Sequence, residues 1–187
     1  MLLLLTTGSW FFLVVWQTLE PLFVKDVLRL GEEVFPLLVA ANAVGSLLGA
    51  MGLALSHRGR GLEVRLIGAS LVASGAALLV VASVPVLSVA LVGTAVMGVA
   101  VAWFLSLSQA LIQRVTPGDL RARVTGVVAT LQEATGLACT VAIAVFSGLI
   151  VVQSTLWVAA ALMLVSGLAG LRARPPHARP APAVSGR

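Results

Sequence analysis

Long apolar runs, separated by short polar breaks, follow one another along almost the whole chain. A helix needs about 20 apolar residues to cross a bilayer, and six stretches have lengths of that order. They cover residues 3–24, 34–56, 65–83, 85–110, 124–147 and 150–171. The third and fourth are divided at Pro85, because proline pushes the residue before it out of the helical conformation. The pattern therefore predicts an all-α membrane protein, a bundle of six transmembrane helices.

Composition agrees with lipid as the surrounding solvent. Hydrophobic residues make up 59% of the chain and charged residues only 10%, whereas soluble domains carry roughly 25% charged residues. The apolar start, MLLLLTTGSWFFLVVW, has no positively charged leader and continues to Val24. This favours a membrane span over a cleaved signal peptide. The lipid bilayer is therefore the first partner that we expect.

The basic residues divide unevenly between the two sides of the predicted bundle. Of the twelve Lys and Arg residues, two lie in the break at 25–33 and ten on the opposite side. Those ten are Arg58, Arg60, Arg65, Arg114, Arg121, Arg123, Arg172, Arg174, Arg179 and Arg187. Cytoplasmic loops carry the excess of positive charge, so both termini of this multi-pass cell-membrane protein are predicted to be cytoplasmic. Residues 173–187, rich in Pro, Ala and Arg, are predicted to form a disordered cytoplasmic tail.

The same features argue against other function classes. The net charge of +5 is confined to the breaks between apolar runs, without the aromatic interleaving of a nucleic-acid surface. The sequence has no Ser/His/Asp or Cys/His arrangement, no carboxylate pair at a useful spacing and no metal-ligand cluster around its single cysteine. We therefore predict that the protein is not an enzyme, binds no nucleic acid and needs no metal or cofactor.

Glu133 in the fifth span is the clearest ionisable group inside a predicted span. It lies ten residues beyond Arg123, which places it about 15 Å into the membrane at the rise of an α-helix. Such groups are costly in lipid and default to functional hypotheses, so we expect Glu133 to face protein or water. It is a candidate for a carboxyl that loads and releases a proton. A packing role beside Gln132 is the alternative.

Two further polar positions are candidates for a transport site. Glu20 precedes Pro21 in the first span, with Gln17 one turn earlier, and proline there is expected to kink the helix. Its place near the outer interface leaves Glu20 either a site role or a wet surface position. In the fourth span, Trp103 and Ser106 belong to a polar-aromatic face. That face is compatible with a cavity lining and with an interfacial anchor.

Small residues at four-residue steps predict close helix contacts. Gly45 and Gly49 form a GxxxG motif in the second span, and Gly98 is the centre of a similar stripe in the fourth. In lipid, such residues allow helix backbones to approach one another. Packing within the chain and contact with a second bundle both remain open.

The break at 113–127, QRVTPGDLRARVTGV, concentrates charge between the fourth and fifth spans. Thr116 is predicted to cap a helix with Pro117 in its first turn and Asp119 at its third position. Arg121 and Arg123 then lie at the membrane edge, where positive charge holds a loop in the cytoplasm.

Two of the breaks resemble loops of the major facilitator superfamily. Residues 52–61, GLALSHRGRG, resemble its G-x-x-x-D-R-x-G-R-R motif in the copy after the eighth span. Gly52, Gly59 and Arg60 match, while Ser56 and His57 replace the Asp and the first Arg. The break at 113–127 is similar to the Q-R-x-V-P-x-x-L-R-G-R-V-x-G loop after the tenth span of many drug and siderophore exporters. Its matching residues are Gln113, Arg114, Pro117, Leu120, Arg121, Arg123, Val124 and Gly126.

The resemblance implies the C-terminal half of a transporter that has twelve spans in two six-helix halves, with the substrate site between them. The first and fourth spans would line the cavity, and the second and fifth would pack against the other half. The start of the chain at the edge of its first span suggests a truncated or split transporter, completed by an N-terminal half-transporter chain or by a second copy.

The function implied is membrane transport of a small amphipathic molecule by alternating access, as proton-coupled efflux. The alternatives are a non-transporting six-span fragment, a small membrane assembly protein, or a half-size transporter that acts as a homodimer. A gating role for Arg114 or Asp119 is a further hypothesis. No residue pattern specifies the substrate, the direction of transport or the coupling ion.

Overall fold

Six α-helices make up nearly all of the structure, a computed structural model that describes residues 2–55, 63–118, 120–146 and 152–172. They are α1 (Leu2–Leu22), α2 (Phe35–Leu55), α3 (Glu63–Ser83), α4 (Leu87–Val115), α5 (Arg121–Phe146) and α6 (Val152–Arg172). Five of them, α2 to α6, are long and apolar enough to cross a membrane. The predicted all-α membrane fold is confirmed. The tail at 173–187 lies outside the described residues.

The end of α1 departs from a regular α-helix. Pro21 lies in its last turn, and a π-helical turn, Phe23–Val27, follows directly. Proline has no N–H to donate, and the chain widens its hydrogen-bond spacing: the Leu28 N–H donates to the Phe23 carbonyl at 3.0 Å. The sequence predicts a kink here, and the structure shows a π-turn. Arg29 ends the turn in the left-handed region, with φ of 53°.

The six helices form two repeats of three, α1–α3 and α4–α6. Helix α4 packs against α2 and α3 of the other repeat, and its counterpart α1 packs against α5 and α6 in the same way. The two third helices, α3 and α6, pack against each other. Because each repeat has an odd number of helices, the two repeats run in opposite directions within the bundle. This is the inverted-repeat plan of many transporters.

Glycine brings α2 and α4 into backbone contact. A Cβ at Gly45 would overlap the Ala95 carbonyl oxygen, and a Cβ at Gly98 would overlap that of Asn42. At Gly49 a Cβ would lie 2.8 Å from the Cα of Val99. The predicted stripes therefore meet each other within the chain rather than standing open for a second bundle.

Helices α3 and α6 meet through glycines that the sequence analysis did not single out. A Cβ at Gly68 would lie 2.9 Å from the Gly167 carbonyl oxygen, and one at Gly75 would lie 3.0 Å from that of Ala160. Their spacing of seven residues puts Gly68 and Gly75 on one helix face. A close α3–α6 contact follows, and it joins the two repeats along their third helices.

The contact between α1 and α5 is different, because side chains make it. A Cβ at Gly136 of α5 would meet the Val14 side chain at an ordinary 3.5 Å. Trp16 and Leu19 of α1 are buried in one cluster with Cys139 and Ile143 of α5. Trp16 also lines the cavity described next.

Candidate functional site

A cavity of about 310 Å³ lies between α1, α2 and α4. Gln17 and Glu20 of α1 and Asn42 of α2 supply its polar groups. The other lining residues are Leu13, Trp16, Phe35, Val39, Ala43, Met97 and Val101. Its volume is at the lower end of the range for small-molecule pockets, and the mixed lining suits a molecule with an apolar body and one polar group.

Helix geometry places the α1 residues of this wall. Leu13, Trp16, Gln17 and Glu20 recur at intervals of three and four, so they share one face of α1. Met97 lies ten residues into α4, about 15 Å from its start at helical rise. The cavity is therefore in the half of the bundle that contains the turn at 84–86 between α3 and α4.

Glu20 is the buried acid of this cavity. Its side chain is 6% exposed, and its Oε1 atom has no hydrogen-bond partner among the described residues. The indole Nε1 of Trp16, one turn earlier, is also buried without a partner in the described chain. An unmade hydrogen bond on a buried group costs about 1–3 kcal/mol, and more if the group is charged. Two such groups together mark a site that a ligand can complete.

No basic side chain in the described cavity lining compensates the charge of the Glu20 carboxylate. None of the residues that line the cavity in the described part of the chain is a lysine, arginine or histidine. Helix α2 has no ionisable residue, and Lys25 and Asp26 of the π-turn are exposed. An unpaired carboxylate is costly to bury, and the cost is relieved when a proton or another cation neutralises it.

A second, smaller pocket of about 40 Å³ lies between α4 and α5. Ser108 and Gln109 face Thr125 and Gln132 across it. The Ser108 hydroxyl is buried and has no partner in the described structure. The pocket has room for roughly two or three water molecules, which are suitable partners for this hydroxyl.

The structure separates the transport candidates that the sequence suggested. Gln17 and Glu20 line the larger cavity, and Gln132 lines the smaller pocket. Trp103 lies at the α2–α4 contact, where its Nε1 donates to the Gly49 carbonyl at 2.8 Å. The side chain of Ser106 is exposed.

Glu133 departs from its expected position. Its side chain is exposed, and it lines neither of these two pockets. The inward stripe of α5 runs through Val128, Gln132, Cys139 and Ile143. Each residue turns the helix by about 100° at 3.6 residues per turn, so the neighbour of Gln132 points away from α1. Among the acids whose side chains the structure describes, the buried one is Glu20.

Two cavity residues, Trp16 and Asn42, were not among the sequence candidates. A signal was present for each. Trp16 is four residues before Glu20, and Asn42 is a lone amide in an otherwise apolar span. Amides inside spans usually hydrogen-bond across helices or line a polar space.

The loop between α4 and α5 corrects one local prediction. The Thr116 hydroxyl donates to the Ile112 carbonyl at 2.8 Å, so Thr116 caps the end of α4. Helix α5 begins only at Arg121, whose Nε donates to the Thr116 carbonyl at 3.2 Å. The expected helix start at Pro117 is a turn instead, closed by the Leu120 N–H on the Pro117 carbonyl.

The remaining loop-motif residues are on the surface or undescribed. Pro117, Arg114 and Arg123 are exposed, and Gly52 has open space where a Cβ would lie. Gly59, Arg60 and Asp119 lie outside the described residues.

Inverted three-helix repeats around a mostly apolar cavity with a buried acid define a class of protein, the polytopic membrane transport proteins. Comparison with known sequences gives the family. The family model described as Major Facilitator Superfamily matches residues 1–187, and the chain therefore belongs to this superfamily. No curated protein and no solved structure matches it.

Proposed function

We propose that the chain exports a small amphipathic molecule by alternating access, coupled to proton movement, as the C-terminal half of a drug/siderophore exporter-like transporter. The observation that carries this proposal is Glu20, a buried acid in a cavity of about 310 Å³. A carboxyl without a counter-ion has to be neutralised whenever its cavity closes, and solvent protons reach it whenever the cavity opens.

The alternation between a closed and an open cavity connects proton movement to transport. If a proton is bound in one conformation and released in the other, each cycle carries it across the membrane. The conformational change and the proton then share one free-energy cycle, because a ligand shifts an equilibrium by its difference in affinity for the two states. Gln17 and Asn42 supply hydrogen bonds that orient the transported molecule.

The outer surfaces of α2 and α5 support a second six-helix body as a partner. Among the five helices long and apolar enough to cross a membrane, these two are the least buried. Only 17% of the residues in the most apolar stretch of each are buried. Helix α5 exposes Gly126, Ala129, Glu133 and Thr140 on the same face as Leu137, so small and polar residues interrupt its apolar surface there. An acid is costly against hydrocarbon, so this face favours protein contact. An N-terminal half-transporter chain or a second copy fits that role.

The test is transport in reconstituted vesicles, with and without an N-terminal six-helix chain. An imposed proton gradient drives movement of three dyes: neutral Nile red, anionic anilinonaphthalene sulfonate and cationic ethidium. A pH dye reports proton flux. We expect gradient-dependent movement of at least one dye, lost in Glu20→Gln and kept in the control variant Asp26→Asn, which neutralises an exposed acid of the π-turn. Retention of coupling in Glu20→Gln would show that another group carries the proton.

A further inference from the structure

The substrate class can be inferred from what the cavity lacks. Its described lining contains one acid, Glu20, and no basic residue. When Glu20 is ionised, an anionic ligand would meet a like charge with nothing to offset it, and a neutral ligand would leave the carboxylate uncompensated. A ligand with one positive charge is the class that satisfies the site, because burial of a charge is tolerated when it is paired.

The apolar part of the lining restricts the ligand further. Leu13, Phe35, Met97 and Val101 line the same cavity with aliphatic and aromatic groups, which favour burial of an apolar body. The indole of Trp16 lies in the same wall, and aromatic faces attract organic cations within about 6 Å. A compact ammonium with an aromatic or aliphatic body therefore fits better than a hydrated metal ion.

We propose that Glu20 binds a monovalent organic cation with an apolar body, and that this cation and a proton occupy the carboxyl in alternation. The substrate class rests on the proposed transport function, while the binding itself can be measured without transport. Exclusive occupancy of one carboxyl is enough for exchange: the arriving proton releases the cation, and the arriving cation releases the proton.

No other titratable group in the described cavity wall competes for this role. Helix α4 carries a single charged residue, Arg114, at its far end. On α5, Cys139 is buried in the cluster with Trp16, and Glu133, Arg121 and Arg123 are exposed. On α6, Arg172 is in the last turn. The pH dependence of cation binding is therefore assigned to Glu20.

The experiment compares two ligands of the same shape. Benzyltrimethylammonium carries one positive charge, and neopentylbenzene has carbon in place of the nitrogen. Binding to the full chain in detergent is followed by calorimetry, and a pH dye in weak buffer counts the protons released. We expect the cation to bind more weakly as the pH is lowered and to release up to one proton on binding.

The variants identify the acid responsible. Glu20→Gln should lower cation affinity at least about tenfold, which corresponds to about 1.4 kcal/mol, and should abolish proton release. Glu20→Gln should change the affinity for neopentylbenzene less than about twofold, because glutamine keeps the shape of the glutamate side chain. Glu20→Asp, which retains the charge, should restore proton release, and Glu133→Gln should behave as the unmodified chain.

Three outcomes distinguish the two proposals. Equal affinity for the cation and its neutral isostere, or cation binding without proton release, would overturn the substrate class. Proton-coupled movement of anionic or neutral dyes alone in the vesicles would also overturn it while leaving transport in place. Glu20-dependent cation binding without movement in vesicles, even beside an N-terminal half, would uphold the binding site and reject the transport function.

Discussion

The α2–α4 contact offers the sharpest test of the packing, through Gly49→Ala. A Cβ at this position would lie 2.8 Å from the Cα and from the carbonyl oxygen of Val99, where ordinary contact begins at 3.4 Å. The two helices must therefore separate locally by about 0.6 Å. The Gly49 carbonyl also accepts the 2.8 Å hydrogen bond from Trp103 Nε1, which that separation would stretch beyond the usual range of about 2.7–3.2 Å.

The magnitude follows from these two losses. Overpacking a well-filled contact costs about 1–3 kcal/mol, and an interhelical hydrogen bond in a membrane protein is worth about 0.6 kcal/mol, up to about 1.7. Gly52→Ala is the matched control, because it lies on the same helix and its Cβ would meet nothing within 4 Å. Both variants gain the same helix propensity of alanine. The difference between them in the free energy of unfolding should be about 2–4 kcal/mol.

The assay is reversible unfolding in mixed detergent micelles, followed by tryptophan fluorescence, for the two variants and the unmodified chain. Gly49→Ala should shift the unfolding midpoint to lower denaturing detergent, and Gly52→Ala should leave it in place or raise it. If the two variants differ by less than about 0.5 kcal/mol, within the error of such measurements, the close backbone approach of α2 and α4 does not exist.

Three further predictions concern other parts of the fold. Arg29→Gly should raise the free energy of unfolding by about 0.5–1 kcal/mol in the same assay, because glycine adopts the left-handed conformation of this position without the steric cost of a Cβ. A loss of stability would contradict this backbone geometry. Gln153→Leu should lower it by about 0.6–1.7 kcal/mol, because the 3.1 Å bond to the Ala82 carbonyl between α6 and α3 is lost; no change would exclude that bond. In intact cells, single cysteines placed at Gly31 and Gly118, with Cys139→Ala as background, should be labelled from opposite sides of the membrane. Labelling of both from the same side would reject the predicted topology.

The helices could be predicted from sequence because an apolar run long enough to cross a bilayer folds as a helix whichever helices it packs against. A run of about 20 residues has one favourable conformation in hydrocarbon, since every backbone group must be bonded internally. The turn at 84–86 was predicted for the same kind of reason, because the restriction that Pro85 imposes on its neighbour is local. The structure keeps α3 and α4 separate at that point.

The direction in which a side chain faces is not local, and the two acids show this. The sequence gives the depth of Glu20 and Glu133 but not the neighbour of each helix face. Glu133 adjoins a residue on the inward stripe of α5, and that single step takes it to the surface. Glu20 is near the end of α1, where the sequence is equally compatible with an exposed position. In the structure it is buried in the cavity between α1, α2 and α4.

Glycine stripes show a similar limit. The chain contains 18 glycines, so stripes of small residues occur in several spans and their partners cannot be assigned from spacing alone. The α2–α4 contact is made by glycines that the sequence predicts as packing positions. The α3–α6 contact is made by Gly68, Gly75 and Gly167, which the sequence does not distinguish from the other glycines. The loop at 116–120 was missed because Thr116 can cap either neighbouring helix, and the choice depends on where α4 ends.

The way in which the helices touch divides the bundle into a stiff part and a compliant part. Two helix pairs, α2–α4 and α3–α6, are joined by backbone contacts at glycines, whereas between α4 and α3 a Cβ at Gly93 would meet the Val81 side chain. Backbone contacts have no rotatable groups to absorb a displacement, so each of these two helix pairs should move as a rigid unit. Helix α1 rests on α5 through side chains, which can change rotamer, and it ends in a proline and a π-turn. Amide hydrogens should therefore exchange with water earliest along the end of α1, and the carboxyl of Glu20 lies on this more compliant helix.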